Sequence, residues 1–196
     1  VVRYLWTKAA LRNPPYAGIM HRLDRETSGV IMFTKNRAVN AAVHEIFEKR
    51  TAQKIYRAVC AVAGNKGNTQ RYRNLEKGSE FFVENNIGRI SPKSTRAKWG
   101  ELSTTHGGLY ARTEFTVLER CMIGGISAVK IEARPLTGRT HQIRVHLASV
   151  GLPILGDTLY GAPEYKRTML HAQSLIFSHP ISKNTMTVSA PLPDGF

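Results

Sequence analysis

Cysteine is scarce: the chain has two, Cys60 and Cys121, in neither CxxC nor any other metal-binding spacing. That argues against a disulfide scaffold and fits a reducing cytosol, so a cytoplasmic protein is expected. Long apolar runs are missing too. None approaches the ~20 residues that a membrane helix needs. Residues 1–13 hold neither an apolar signal core nor a small-residue cleavage site, and no initiator Met opens the sequence, as expected of a trimmed or partial chain. Acidic side chains are few, 14 Asp+Glu against 28 Lys+Arg, and no acidic cluster suited to magnesium occurs. The seven histidines do not form a helical zinc pair. His141 and His146 are five apart with no Glu between them, whereas such a site needs histidines at i and i+4. A metal-dependent nuclease or hydrolase is thereby disfavoured. Internal repeats and low-complexity tracts are also absent.

What is present is positive charge. The formal net charge is +14 and the sequence pI is near 10.2. Residues 51–112 alone carry 11 basic and 4 acidic side chains. A folded, non-repetitive chain this basic is expected to face a polyanion, the alternative being a soluble protein that is merely basic. A hydrophobic share of 42% over 196 residues supports a real core and a single domain.

Hydrophobic spacing then places the elements. Residues 28–35 (SGVIMFTK) form a short apolar run that reads as one buried strand. Residues 37–50 carry Ala38, Val39, Ala42, Val43, Ile46 and Phe47 at helical spacing, with Asn36 as N-cap. Residues 53–62 alternate as a strand, and 64–68 form a turn. The stretch 65–108 is polar, basic and glycine-rich, with short strand candidates at 81–83 and 87–90. It reads equally as a long loop or as a small hairpin region. Residues 110–119 and 125–134 alternate clearly, with a hairpin signal at Gly124-Gly125. A helix follows over 140–150, with Ile143, Leu147 and Val150 on its buried stripe, Thr140 as cap and Gly151 as stop. Residues 169–177 and 185–190 are the last strands. The sum is an α+β fold: a mixed, mainly antiparallel β-sheet core with flanking helices.

The densest group of chemistry-bearing residues is Gly18-Ile19-Met20-His21-Arg22-Leu23-Asp24-Arg25-Glu26-Thr27-Ser28-Gly29. Asp24 stands between two arginines just ahead of an apolar run. Neighbouring guanidinium groups favour an ionised carboxylate, the form needed by a nucleophile or base. Thr27 and Ser28 can bond local backbone amides and fix the turn. On these residues alone, an ordinary structural Asp in a loop salt bridge is the better explanation of the pattern.

The run His21-Arg22-Leu23-Asp24, two further residues and Thr27-Ser28-Gly29 resembles the signature of the RluA family of pseudouridine synthases. Lys54-Ile55-Tyr56-Arg57-Ala58 resembles that family's Lys-x-Tyr strand. The segment Gly138-Arg139-Thr140-His141-Gln142-Ile143-Arg144-Val145-His146-Leu147 resembles its third motif and continues into Gly156-Asp157 and Leu159-Tyr160-Gly161. Leu170-His171-Ala172, His179-Pro180 and Ala190-Pro191-Leu192-Pro193 are similar to its C-terminal stretch. The resemblance runs from about Gly18 to the C-terminus and is weakest over 65–108.

The resemblance implies the pseudouridine synthase fold and isomerisation of uridine to pseudouridine in RNA, ribosomal or transfer. Asp24 would be the catalytic carboxylate. Tyr56 would stack on uracil as the candidate base for its carbon-5 proton, and Arg144 would pair with Asp24. A guanidinium beside the buried Ile143 could hold that carboxylate with a bidentate fork. His21, Arg22, Leu23, Arg25, Thr27, Lys54, Arg139, Thr140, His141, Gln142 and Leu170 would bind the RNA or the target nucleotide. No cofactor, metal or membrane partner is implied, and a monomer is expected. Residues 1–196 would be one catalytic domain without the family's usual preceding strand or a small N-terminal RNA-binding domain. The rival reading is a non-catalytic RNA-binding or ribosome-assembly protein, which fits the charge but leaves the three motifs unexplained.

Overall fold

In the computed structural model, residues 1–9, 13–62, 72, 74–93 and 97–196 are described. Helix α1 (Val2–Ala9) precedes three two-residue strands, β1 (Gly18–Ile19), β2 (Ser28–Gly29) and β3 (Phe33–Thr34). Helix α2 (Asn40–Glu48) is followed by strands β4 (Gln53–Ala61), β5 (Glu80–Arg89), β6 (Trp99–Glu101), β7 (Leu109–Ile123) and β8 (Ile126–Pro135). Helix α3 (Gln142–Ser149), then β9 (Leu170–Ser178) and β10 (Thr185–Ser189), complete the order. The main sheet runs β10-β9-β4-β8-β7-β5-β6 with antiparallel neighbours, and β2 adds in parallel to β9. This is the α+β, mainly antiparallel arrangement that the sequence predicts. Among the described residues, no helix is long and apolar enough to cross a membrane.

The clearest alternation gives the longest strands. β7 and β8 meet at Gly124-Gly125, where both residues have positive φ (55° and 80°). A type I′ hairpin turn, whose backbone matches the strands' twist, needs this at both central positions. The separate candidates at 81–83 and 87–90 are one strand, β5, paired without a break to β7 from Glu80↔Thr116 to Ile87↔Leu109. The polar Glu84-Asn85-Asn86 in its middle conceals the continuity, because Asn85 faces His146 rather than solvent (Oδ1–Nε2 3.1 Å). The turn expected at 64–68 lies outside the described residues.

The expected strand over 28–35 is broken after two residues. Gly29 has φ 118°, and a β-carbon there would lie 2.1 Å from the Ala172 carbonyl oxygen on β9. The chain docks on β9 through Ser28 and Gly29, then leaves, and β3 pairs with β1 instead. Val30 and Met32 pack with Ile46, Phe47, Ala52, Leu175 and Phe177 in a satellite cluster. Asn36 caps as expected, its Oδ1 accepting the Ala38 amide at 2.9 Å, but the first turn it opens (Arg37–Val39) is a 3₁₀ turn.

Helix α3 buries Ile143, Leu147 and Val150 against the sheet, as the spacing predicts, but Gln142, Arg144, Val145 and His146 are buried as well. Thr140 does not cap it. Its hydroxyl accepts from Arg22 instead, and His141 occupies the N-cap position in left-handed conformation (φ 56°). Gly151, at φ 77°, ends the helix. Around α3 the main core gathers Val59, Phe115, Val117, Ile131, Leu152, Ile154 and Leu155. Each such side chain contributes about 1.5–3 kcal/mol of burial, upholding a sheet rigid enough to carry a site at its face.

Candidate active site

Asp24 lies on the loop between β1 and β2, and that loop is tied down at several points. The Thr27 amide donates to the Asp24 carbonyl at 3.0 Å, closing the turn. His21 Nε2 accepts the Met32 amide at 2.9 Å while its ring packs on Phe47. Ser28 does not bond a local amide as expected; its Oγ lies 2.7 Å from His171 Nδ1 and accepts from Arg167 Nη2 at 2.6 Å. His171 Nε2 faces the Ala190 carbonyl at 3.3 Å, which can only accept. Nε2 therefore carries the ring proton, and Nδ1 takes the Ser28 hydroxyl proton. Thr27 Oγ1 is buried without a hydrogen-bond partner among the described residues, also contrary to the expected local bond.

Above the loop opens a cleft of about 670 Å³. Its lining brings together Asp24, Tyr56 and, of the expected binding residues, His21, Arg22, Leu23, Thr27, Lys54, Arg139, Thr140, His141, Gln142 and Leu170. Arg25 is exposed and outside it. Arg22 reaches across the mouth, donating from Nη2 to Thr140 Oγ1 at 3.2 Å. Gln142 is buried and fully used within the protein. Its Oε1 accepts from the Thr137 hydroxyl and the Arg139 amide, and its Nε2 donates to the Arg112 carbonyl and Thr113 Oγ1. That bonding shapes the turn on which Arg139, Thr140 and His141 sit.

Arg144 is buried behind the cleft, 1% exposed. Its Nη1 lies 3.6 Å from Asp24 Oδ2 and 3.4 Å from Glu26 Oε2. The bidentate fork expected for Asp24 goes elsewhere: Nε to Asp157 Oδ2 at 2.6 Å and Nη2 to Asp157 Oδ1 at 2.8 Å. Burial works against the guanidinium's charge, and the bonds and charge of Asp157 outweigh it, holding the pKa above its ordinary value. The Tyr160 ring packs beside it, 5.1 Å from Cζ to ring centre. Among the described residues the cation paired with Asp24 is thus Arg144, not the flanking arginines. Asp157, Tyr160 and Glu26 had no role assigned from sequence. The first two fall in the Gly-Asp and Leu-Tyr-Gly segment, whose residue types alone carry no register onto Arg144.

Burial and the nearby Asp24 charge push the Tyr56 phenol up to about 12, so it is neutral at ordinary pH. Burial lowers the pKa of Lys54, and burial with the Lys54 charge lowers that of His21. His146, pushed down to about 4 by burial, is a structural residue held between Thr113 and Asn85. It stands apart from His141. Among the described residues no group of three or more His, Cys, Asp or Glu could hold a metal ion.

The family model described as RNA pseudouridylate synthase matches residues 6–149. The chain is 38% identical over 176 residues to the uncharacterized RNA pseudouridine synthase YhcT of Bacillus subtilis (strain 168), covering 89% of this chain and 52% of that protein. It is 34% identical over 184 residues to the dual-specificity RNA pseudouridine synthase RluA of Escherichia coli (strain K12), covering 92% and 75%. Among solved structures, human RNA pseudouridylate synthase domain containing 1 aligns with a TM-score of 0.72 at 27% identity, over 90% of this chain and 69% of that one. The chain spans about half the length of several curated relatives it matches, from 47% to 56%.

Proposed function

The chain belongs to the RNA pseudouridylate synthase family, and from that premise we propose that it isomerises specific uridines of ribosomal or transfer RNA to pseudouridine, with Asp24 as the reacting carboxylate. The observation that carries this reading is the placing of Asp24 at the cleft wall, its Oδ2 toward the buried Arg144 at 3.6 Å and its Oδ1 without a protein partner among the described residues. A carboxylate so held has one oxygen steadied by a cation and one left for the nucleotide.

The reaction breaks the bond between uracil N1 and ribose C1′, turns the base, and joins C5 to C1′. A proton leaves C5 and N1 gains one, so the formula is unchanged. Asp24 acts on the ribose, by attack or by removing a proton. Tyr56 packs against the base; service as the C5 base would require its phenolate, which burial and the Asp24 charge both oppose. Reaching an atom of a stacked base requires taking it out of its stack, at a cost of a few kcal/mol. The basic residues at the cleft rim would hold the opened strand through its phosphates. We read residues 1–196 as one catalytic unit acting in the cytoplasm, which suits two free cysteines.

The test uses ribosomal and transfer RNA transcribed with uridine tritiated at C5. Tritium release to water should accompany pseudouridine formation with the wild-type chain and fall by at least about 10³-fold with Asp24→Asn. Equal release by both would remove Asp24 from the chemistry. Binding of RNA without release by either would support a binding-only protein.

A further inference from the structure

The hydrogen bonds around Tyr160 fix a proton that no motif assigns. The backbone amide of Trp99, on β6, donates to the Tyr160 hydroxyl oxygen at 3.1 Å, since an amide N–H can only donate. The hydroxyl proton is then free to be given. The His141 Nδ1 atom lies 2.8 Å away, and no other acceptor faces that hydroxyl among the described residues. Nδ1 therefore accepts, and a neutral ring carries its proton on Nε2. Burial pushes the Tyr160 phenol up to about 12, so it has its proton to give. Burial also lowers the His141 pKa more than the Asp24 charge raises it, which keeps the ring neutral.

His141 is held in place as well as in protonation state. Its ring stands edge-on to Tyr160 at 87° and 5.7 Å between centres. Its backbone is left-handed, at φ 56°, where L residues are uncommon and His, Asn and Asp are enriched. It occupies the N-cap position of α3 yet makes no side-chain cap bond. Instead the ring lines the cleft that holds Asp24. Its Nε2 has no protein partner among the described residues.

We propose that Tyr160 holds His141 as the Nε2–H tautomer and that this N–H donates a hydrogen bond to an acceptor oxygen of the target nucleotide beside Asp24. Tyr160 is then a positioning residue, and its own anchor is the Trp99 amide. This ties the β5–β6 arm, in the part of the chain hardest to read from sequence, to the chemistry of the cleft. The nucleotide contact rests on the proposed reaction; the tautomer does not.

Two experiments on the full chain separate these parts. Two-bond proton–nitrogen correlation spectra with ¹⁵N-labelled histidine should show His141 at neutral pH with Nε2 protonated and Nδ1 bare. Tyr160→Phe keeps the ring against Arg144 and removes only the hydroxyl, so the His141 signals should move to a mixture of tautomers. Nδ1 protonated in the wild type, or no change in Tyr160→Phe, would overturn the positioning role.

The second experiment compares His141→Gln, His141→Asn and His141→Ala in tritium release. The Gln amide reaches toward the place of Nε2, and the Asn amide only that of Nδ1. Asn suits the left-handed backbone at least as well as His, so its variant should keep the wild-type melting temperature. We expect kcat/KM to fall about ten- to a hundred-fold in Asn and Ala, the loss of a hydrogen bond that leaves a buried partner unpaired. The Gln variant should stay within a few-fold of wild type. An Asn variant as active as wild type would refute the donor. A wild-type chain that releases no tritium would instead unseat the proposed reaction and leave the tautomer result standing.

Discussion

A guanidinium presents its donors in a rigid plane, so holding two of them fixes where the others point. In Arg144, Asp157 takes Nε and Nη2, and Nη1 is left directed at Asp24 and Glu26. Asp157 thus acts on Asp24 through Arg144 without touching the cleft. Asp157→Asn keeps the shape and removes the charge. It should cost about 3 kcal/mol in urea unfolding, the low end for breaking a buried pair, since two other carboxylates remain beside the guanidinium. Turnover of the folded fraction should fall further than RNA binding does, by about 10²-fold in kcat, as expected when a reacting group is displaced by roughly 1 Å. Destabilisation with an unchanged kcat would limit Asp157 to a structural part.

At the scale of elements, the loop carrying Asp24 owes its position to the two-residue dock of β2 on β9. Gly29 is the point of closest approach, where the added atom of Gly29→Ala would meet backbone oxygen at 2.1 Å in a conformation L residues avoid. The backbone conformation alone should cost about 1–3 kcal/mol, and the contact forces further movement of the loop. Gly138→Ala is the control within the same cleft: among the described residues its β-carbon would meet only the flexible end of Lys54, at 3.5 Å. Thermal unfolding should separate the two, with Gly29→Ala melting several degrees lower and Gly138→Ala near wild type; equal melting would mean that the dock can shift at no cost. The same dock shows where sequence reading stops. β4, β7, β8, β9 and β10 are legible because their apolar patterning is local; Asp24 and Tyr56 line one cleft, and Arg144 lies behind it, 3.6 Å from Asp24 but with its fork on Asp157. The break after Gly29 was not legible, because a residue more than 140 positions later imposes it. Arg144 was expected beside a buried stripe, yet α3 is buried almost all round and its arginine is matched by a carboxylate from a loop. Spacing within one helix holds no trace of that partner.

For the whole molecule, the relevant quantity is the charge that meets the proposed polyanionic substrate. The net charge is +14, and the cleft wall carries Arg22, Arg50, Lys54, Arg134 and Arg139 against Asp24, Glu48 and Glu114. If these five cations each neutralise one phosphate of an opened strand, the logarithm of the binding constant should fall with that of salt concentration at a slope of about −3.5, from about 0.7 per phosphate. That is about a hundred-fold loss of affinity between about 50 and 200 mM salt. Arg50 is the cleanest position at which to test this. It is exposed at the end of α2, has φ 55°, and faces no acidic partner among the described residues. Arg50→Asn removes the charge with a residue that tolerates that backbone, and it should make the slope shallower by about 0.7, whatever the RNA sequence. Arg144→Lys, at a site too buried to reach a phosphate, should leave the slope unchanged while lowering turnover, because an ammonium cannot keep the fork to Asp157. An unchanged slope in Arg50→Asn would place the RNA backbone away from this rim. A slope altered by Arg144→Lys would mean that the buried cation helps set the cleft's shape for binding as well as for chemistry.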